Sequence, residues 1–310
     1  MITLGADGRY LIPKMEFYIT NVCNLSCENC NRFNDHNFQG WQNWNTLKHV
    51  YQQWAHKVRL GKVVILGGEP LLNPTIIDWI HGINDTFGVN VQVLSNGTRI
   101  NNVRGLYDAL LRQIDGVNNW LGISCHDMQE FAVIEYELQK FLAAPIMRGN
   151  PDRCADFGAD FVFTDNNGIT VPIWIQDHFT KSAVFLNEHG RFALHQNDVE
   201  HAHSVCPFVR NRNYHFIHGR LYKCGPVALF PEFDEQHDFD ISVEDKQLLR
   251  AYRPLAIDEF ETRGATFIAD IDKSIPQCKF CPVDHELKKI TVSHKAGRSR
   301  RIPINIMQGD

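Results

Sequence analysis

Three thiols are spaced as C-x₃-C-x₂-C in the stretch Cys23-Asn24-Leu25-Ser26-Cys27-Glu28-Asn29-Cys30. This stretch follows directly on residues 14–20, an apolar-rich segment that predicts a β-strand. The sequence therefore predicts three cysteines on one short loop at the carboxyl end of a strand.

Three thiolates on one loop can each bind one iron of a [4Fe–4S] cube. The fourth iron then has no protein ligand, whereas four cysteines are the usual set. An iron left open in this way can bind and activate a further molecule. Disulfides are not expected, because nine cysteines is an odd number and the chain shows no secretory signal. Zinc stays open as an alternative, because His36 could complete a set of four ligands.

The composition is that of an ordinary globular protein. The chain has 310 residues, of which 44% are hydrophobic and 22% charged, with a net charge of −5. No apolar run approaches the roughly 20 residues that cross a bilayer, and the net charge gives no general attraction to nucleic acid. A basic tail is the exception, with Lys295, Arg298, Arg300 and Arg301. Many free thiols indicate a reducing compartment, so we expect a cytoplasmic protein.

Four strand–helix units are predicted in the first half of the chain. The strands are expected at residues 14–20, 62–66, 89–94 and 120–124. The first helix, at residues 44–59, has Val58 on its apolar face, and the third helix has Ile114. Such alternation predicts an α/β fold with a parallel sheet that closes fully or partly into a barrel. Ligands bind such sheets at the carboxyl ends of the strands, where the cysteine loop lies.

After Pro151 the pattern changes from strand–helix units to hairpins. One hairpin is predicted at residues 160–175 around Asn166-Asn167-Gly168, and a second at residues 185–194. A third begins near Tyr214 and leads to Cys224.

The cysteine loop resembles the signature of the radical S-adenosylmethionine (SAM) enzymes. A second segment, Gly67-Gly68-Glu69-Pro70, follows the second strand and is similar to the "GGEP" segment that holds the SAM amino group in that family. Its glycines would let backbone carbonyls approach a ligand, and Glu69 would place negative charge near the methionyl ammonium. The family usually has an aromatic residue before the third cysteine, next to the adenine. This chain has Asn29 there, and Phe33 could replace it.

The resemblance implies a partial (β/α)6-type parallel barrel and a specific reaction. The open iron chelates the amino and carboxylate groups of SAM, and one electron from the reduced cluster breaks the S–C5′ bond. The 5′-deoxyadenosyl radical then abstracts a hydrogen atom from the substrate. Ser95, Asn96 and Ser124 resemble family positions that contact the SAM ribose or carboxylate, and ordinary turn chemistry is the open alternative. The reaction also implies a reducing partner such as a flavodoxin or ferredoxin.

Four further thiols occur in the last third of the chain, at Cys206, Cys224, Cys278 and Cys281. With the G-x₄-C unit from Gly219 to Cys224, they resemble the twitch and SPASM extensions that bind auxiliary [4Fe–4S] clusters. A structural zinc is the alternative for four cysteines in two groups. We therefore expect a barrel at residues 1–200 and a small, hairpin-rich metal-binding extension at residues 201–310.

Cys125 and Cys154 belong to neither group of thiols. Each is either a small buried apolar residue or a donor of a hydrogen atom to a product radical. Extensions of this type favour a peptide substrate, and an aminosugar or nucleotide is the alternative. A hypothesis from another class is a metal-binding or redox-sensing protein without catalytic activity, which would have closed metal sites and no affinity for SAM.

Overall fold

A ten-stranded sheet forms the centre of the fold. A computed structural model describes residues 2–142, 147–148 and 158–295 of the chain. The strands are β1 (Thr3–Leu4), β2 (Tyr10–Tyr18), β3 (Leu25–Cys27), β4 (Val58–Leu66), β5 (Val91–Ser95), β6 (Gln113–Ile114), β7 (Val117–Asn118), β8 (Trp120–Cys125), β9 (Met147–Arg148), β10 (Phe161–Thr164), β11 (Thr170–Ile175), β12 (His178–Phe179), β13 (Val184–Leu186), β14 (Phe192–Leu194), β15 (Tyr214–Ile217), β16 (Arg220–Tyr222), β17 (Lys288–Lys289) and β18 (Val292–His294).

Helices cover one face of this sheet and build much of the last third of the chain. They are α1 (Trp44–Ala55), α2 (Ile76–Phe87), α3 (Leu106–Leu111), α4 (Phe131–Phe141), α5 (Val199–Val205), α6 (Pro207–Asn211), α7 (Gly225–His237), α8 (Val243–Arg250) and α9 (Phe260–Asp270). Among the described residues, none of these helices combines the length and apolarity that a membrane crossing requires.

The main sheet has the strand order β16-β15-β2-β4-β5-β8-β11-β10-β9, with β1 beside β2. β2, β4, β5 and β8 pair in parallel with one another, as the four strand–helix units predict. The α/β fold is confirmed, and the parallel-rich sheet is consistent with the partial barrel that the resemblance implies.

Two predicted helices end earlier than expected. α1 stops at Ala55, and Val58 begins β4, where it pairs with Tyr10 of β2. Pairing with a neighbouring strand outweighs the helical spacing of a single apolar residue. Ile114 lies in the β6–β7 hairpin, whose turn residues Asp115 and Gly116 both have positive φ. Asp-Gly is a hairpin signal that the sequence does contain.

The predicted hairpins form, and two of them extend the parallel sheet. β10 and β11 pair antiparallel as predicted, and β11 then pairs in parallel with β8 as a fifth parallel strand. β15 pairs antiparallel with β16 and in parallel with β2, at the other side of the sheet. The main sheet thus uses strands from both sides of residue 200. The division of the chain at that residue stays a prediction.

Two hydrophobic clusters lie on either side of the cysteine loop. The larger lies between the sheet and its helices and buries Phe17, Trp54 and Trp79. The second packs α7 against the residues that follow the cysteine loop, with Phe33, Phe230 and others in its interior. The cysteine loop is therefore held between the sheet and the last third of the chain.

Candidate active site at the carboxyl edge of the sheet

The three thiols of the first group line one cavity of about 370 Å³. This cavity lies where β4, β5, β8 and β11 end, so the expected position at the carboxyl edge of the sheet is found. Cys23 and Cys27 are each 7% exposed. Burial is the main cause that raises the pKa of Cys23 to about 12, and the neighbouring Glu69 and Cys30 add to the rise. A donor set of three clustered thiols suits an iron–sulfur cube.

The backbone of the cysteine loop explains the missing aromatic residue. Asn29 has a φ of 60°, a left-handed conformation that asparagine adopts more readily than aromatic residues. Phe33 does not replace the aromatic, because its ring is fully buried and stacks on Phe230 at 5.7 Å between ring centroids. The aromatic residue that does line the cavity is Phe179, which meets the His126 ring edge-on at 5.3 Å. Nothing in the sequence near the cysteines could have indicated it.

His36, the residue that could complete a zinc set with the first three thiols, lies outside the cavity. Its ring packs edge-on against Phe192 at 4.8 Å between centroids. The structure therefore does not bring a fourth ligand of the predicted kind to this loop.

A segment from the end of the described chain covers the cysteine loop. β18 pairs antiparallel with β3, and Ile290 packs into a small cluster with Cys23, Leu25 and Cys27. His294 Nε2 lies 2.9 Å from a carboxylate oxygen of Glu130, which attaches the segment to the start of α4. This C-terminal strap, residues 288–295, shields the loop from solvent.

Gly67 and Gly68 line the cavity, and neither position has room for a side chain. A Cβ at Gly67 would lie 2.5 Å from the carbonyl oxygen of Thr20, and one at Gly68 would lie 2.5 Å from that of Val22. The Gly68 amide also donates to Thr20, at 2.7 Å. The two glycines therefore allow the segment after β4 to pack against the backbone that leads into the cysteine loop.

The expected contact of Glu69 with a methionyl ammonium would require its carboxylate to face the cavity. The carboxylate does not line the cavity. Its side chain is fully buried. It accepts hydrogen bonds from the Leu71 amide at 3.0 Å, the Ser95 hydroxyl at 2.8 Å and the Asn96 amide at 2.8 Å. Glu69 therefore joins the loop after β4 to the loop after β5 and fixes the positions of Ser95 and Asn96.

Ser95, Asn96 and Ser124 all line the cavity, as the resemblance predicts for residues near SAM. The Asn96 side-chain amide donates to Asn24 at 3.1 Å, and its nitrogen lies 4.0 Å from the sulfur of Cys23. Part of the predicted turn chemistry is also present, because the Gly97 amide donates to the Ser95 hydroxyl at 3.0 Å. These side chains therefore both shape the loop and border the space beside the thiols.

Ionisation of Glu69 is expected to make stability depend on pH. Burial raises the pKa of Glu69 from 4.5 to about 7, although its hydrogen bonds oppose the rise. Because the folded pKa is the higher one, the stabilising contribution is complete below pH 4.5 and is lost as pH rises through 7. Urea denaturation of the metal-free, reduced chain measures the unfolding free energy of wild type and of Glu69→Gln. The difference between the two proteins should change by about 3 kcal/mol, against wild type, between pH 4.5 and pH 8. A flat difference would contradict this prediction.

Cys125, one of the two candidate hydrogen donors, receives no support from its position. Cys125 is fully buried in the larger hydrophobic cluster, and its thiol donates to the carbonyl of Asp127 at 3.2 Å. Cys154 lies outside the described residues. His126, the neighbour of Cys125, does line the cavity, with Nδ1 3.1 Å from the Gln176 carbonyl.

The second group of thiols also comes together. Burial raises the pKa of Cys281 well above its ordinary value, and Cys224, Cys206 and Cys278 add to this as close neighbours. Cys206 lies between α5 and α6, and Cys224 directly precedes α7. Cys278 and Cys281 lie on a short 3₁₀ helix and its end, where the Cys281 amide donates to the Cys278 carbonyl at 3.1 Å. The four thiols that the resemblance grouped are therefore close neighbours, whereas what they bind stays a prediction.

Lys223 brings a cation to this second group. Its ammonium donates to the carbonyl of Ile271 at 3.0 Å and lies 3.3 Å from His203 Nε2. Burial lowers the pKa of Lys223, whereas the thiols of Cys278 and Cys224 act in the opposite direction. A buried cation beside three of these thiols suits an anionic metal centre.

Within the described parts of the chain, no group of three or more His, Cys, Asp or Glu side chains is arranged to hold a metal ion. A zinc ion requires four donors around one point. The cysteines of a cube each bind a different iron and need not converge in this way. The iron–sulfur clusters and the zinc alternative therefore both stay predictions.

Arg32 connects the two groups of thiols. Its Nη2 forms an ion pair with Glu16 at 2.8 Å, and His215 Nε2 lies 2.8 Å from the same carboxylate oxygen. A Cβ at Gly225, the residue after Cys224, would lie 1.8 Å from Arg32 Nη1. Burial works against ionisation of Glu16, but His215 and Arg32 together hold its pKa well below the ordinary range. Sequence inspection missed this buried network, whose members are far apart along the chain.

Comparison with known proteins agrees with the first group of residues. Residues 17–151 match the family model described as "Radical SAM superfamily". This match contains the cysteine loop, the Gly67–Pro70 segment and the ends of β5 and β8, and it supports the radical SAM superfamily for that part of the chain.

One solved structure to which the chain is similar is the crystal structure of Streptococcus suis SuiB bound to S-adenosylmethionine. The sequence identity is 15% and the TM-score 0.33, over 42% of this chain and 30% of that chain. No curated protein matches the chain.

Proposed function

We propose that the protein is a radical SAM enzyme that cleaves SAM reductively and abstracts a hydrogen atom from its substrate. The observation that carries this proposal is the convergence of three thiols, two glycines and the Ser95, Asn96 and Ser124 side chains on one cavity. The superfamily match over residues 17–151 gives independent support.

In this proposal Cys23, Cys27 and Cys30 hold a [4Fe–4S] cluster with an open iron. Bound together, the cluster and SAM supply a carbon-centred radical, which is chemistry that no side chain can perform. The residues of the chain bind and orient. Glu69 fixes the loop that carries Ser95 and Asn96, and the C-terminal strap excludes water from the cysteine loop.

The direct test is the release of 5′-deoxyadenosine. Anaerobically reconstituted protein with SAM and dithionite should form this product, which chromatography with mass detection measures. Dithionite stands in for the cellular electron donor, which we propose to be a flavodoxin or ferredoxin. Protein with a full complement of iron that forms no 5′-deoxyadenosine would contradict the proposal and favour the non-catalytic alternative.

We further propose that Cys206, Cys224, Cys278 and Cys281 hold an auxiliary [4Fe–4S] cluster. The clustering of four thiols beside the buried Lys223 supports it. Reconstituted wild type should contain about eight irons per chain, because each cube has four. The double variant Cys278→Ala/Cys281→Ala should retain about four and keep the first cluster.

Lys279→Met is the matched control for that double variant. Lys279 lies between the two cysteines, and its part-buried ammonium pairs with Asp245 at 2.8 Å. Its replacement removes no thiol and should leave about eight irons. About four irons with one zinc in wild type would contradict the auxiliary cluster.

The substrate we propose first is a peptide, on the resemblance of the second thiol group to twitch and SPASM extensions. The alternative, a nucleotide or aminosugar, has one structural observation in its favour. The sheet face that leads away from the cavity presents lysine and tryptophan side chains together.

A further inference from the structure

The sheet has a second face, opposite to helices α1–α4, that continues from the thiol cavity. Side chains alternate between the two faces of a strand, and Met15, Val63 and Leu121 point into the helix-covered cluster. Their neighbours in the register point to the other side, which we call the inner face. It carries Lys14, Lys62, Gln92, Trp120 and Trp174.

Two lysines lie side by side on the inner face. Lys14 of β2 is directly opposite Lys62 of β4, an arrangement in which like charges destabilise a sheet. Lys14 lies 3.3 Å from Glu16, which also pairs with Arg32. Partial burial lowers the pKa of Lys62, whose side chain remains exposed in part, and the charge of Lys14 adds to this. Glu16 thus pairs directly with Lys14 and Arg32, whereas Lys62 has no carboxylate within ion-pair distance among the described residues.

Two tryptophans lie next to the lysines. The rings of Trp120 and Trp174 are 6.3 Å apart between centroids, and the Lys62 ammonium lies 5.4 Å from the Trp120 centroid. Trp174 lies over Gly122, where a Cβ would approach its ring to 2.8 Å. The glycine therefore leaves room for the ring on the inner face.

Gln92 adds a carboxamide to this set. It is 5% exposed, and a Cβ at Gly122 would lie 2.7 Å from its Nε2, which places its amide beside the Trp174 ring. Among the described residues, the Gln92 amide is not one of the side-chain groups that are shut off from solvent without a hydrogen-bond partner. Its donor and acceptor can therefore reach a ligand on the inner face.

We propose that the inner face binds a nucleoside phosphate. The base stacks on Trp174 and Trp120, the Gln92 amide pairs with an edge of the base, and the phosphate lies at Lys14 and Lys62. Aromatic stacking and amide pairing are how proteins bind unpaired bases, and lysine binds phosphate. The site lies next to the thiol cavity. That the ligand is the substrate therefore rests on the proposed radical SAM activity and on its nucleotide alternative rather than on the peptide, whereas the binding itself does not.

Isothermal titration of full-length, reconstituted protein tests the binding. The probes are uridine, cytidine and guanosine 5′-monophosphates, measured with saturating SAM so that the adenosyl site is filled. At least one of these nucleotides should bind. The corresponding nucleoside, which lacks the phosphate, should bind at least about 10-fold more weakly. Binding that disappears when SAM is added would overturn the proposal, as would preferential binding of tetraglutamate, an acidic peptide.

Two variants locate the ligand. Lys62→Met and Trp174→Phe should each lower the affinity for the nucleotide by about 10-fold. Lys62 is exposed, so its replacement does not endanger folding. Trp41→Phe and Lys48→Met are the matched controls on distant exposed positions and should change nothing.

The outcomes separate the two proposals. Nucleotide binding that neither inner-face variant weakens, or no binding at all, overturns the inner-face site even where 5′-deoxyadenosine forms. Binding that both variants weaken in protein that forms no 5′-deoxyadenosine supports the site and contradicts the catalytic proposal.

Discussion

Replacing Cys27 with alanine is expected to reduce the rate of 5′-deoxyadenosine formation at least about 100-fold. Replacing a residue that only supports a metal ligand already lowers metal affinity or activity about 10- to 100-fold. The loss of one of three ligands is expected to lower activity further. Cys27 lies in the middle of the loop, and burial raises its pKa above the ordinary range, with Cys30 and Cys23 next to it. The measurement is product formation with SAM and dithionite after anaerobic reconstitution.

Ser26→Ala is the control for this substitution. Ser26 lies in the same loop, and its hydroxyl donates to the carbonyl of Asp35 at 3.1 Å rather than facing the cavity. Its replacement should cost about 1 kcal/mol of stability and leave product formation near wild type. A Cys27→Ala protein that forms the product at the wild-type rate would show that this loop does not hold the cluster that cleaves SAM.

Replacing Gly68 with alanine is expected to have the second largest effect. The new Cβ would lie 2.5 Å from the carbonyl oxygen of Val22 and 2.6 Å from the side-chain oxygen of Asn34. Because one of these atoms is backbone, the cysteine loop has to move. Overpacking of this kind costs about 1–3 kcal/mol, and a displacement of about 1 Å at a reacting centre can lower a rate about 100-fold. Thermal unfolding and product formation measure the two effects.

Gly116→Ala separates the steric effect from the general cost of replacing a glycine. Gly116 has a φ of +76°, and no atom lies within 4 Å of the position that an alanine methyl group would take there. Its replacement therefore costs about 1–2 kcal/mol of backbone strain and no activity. Equal losses of activity in Gly68→Ala and Gly116→Ala would contradict the packing explanation.

Much of the parallel sheet could be predicted because its signals are local. Continuous apolar runs mark β4 and β5, and the turn residues after them fix where the strands end. The cysteine loop and the Gly67-Gly68 segment follow neighbouring parallel strands, which end at the same edge of the sheet, so their proximity is consistent with the predicted order of strands. The four later thiols were grouped by the resemblance to auxiliary-cluster extensions rather than by their spacing.

The rest depends on contacts between residues far apart along the chain. Nothing near Tyr214 indicates that β15 pairs with β2, and nothing near Val292 indicates that β18 covers β3. The sequence placed Glu69 next to a ligand by its charge. Its actual partners, Ser95 and Asn96, could not be read from the segment itself. Long-range pairing and buried hydrogen bonds leave little local pattern.

The central claim is that the first cluster keeps one iron open for SAM. EPR spectra of the reduced cluster, recorded with and without SAM in the Cys278→Ala/Cys281→Ala variant, test it without interference from a second cluster. We predict that SAM changes the signal, because its amino and carboxylate groups bind the iron that Cys23, Cys27 and Cys30 leave free. An unchanged signal at saturating SAM, from a fully assembled cube, would contradict the account.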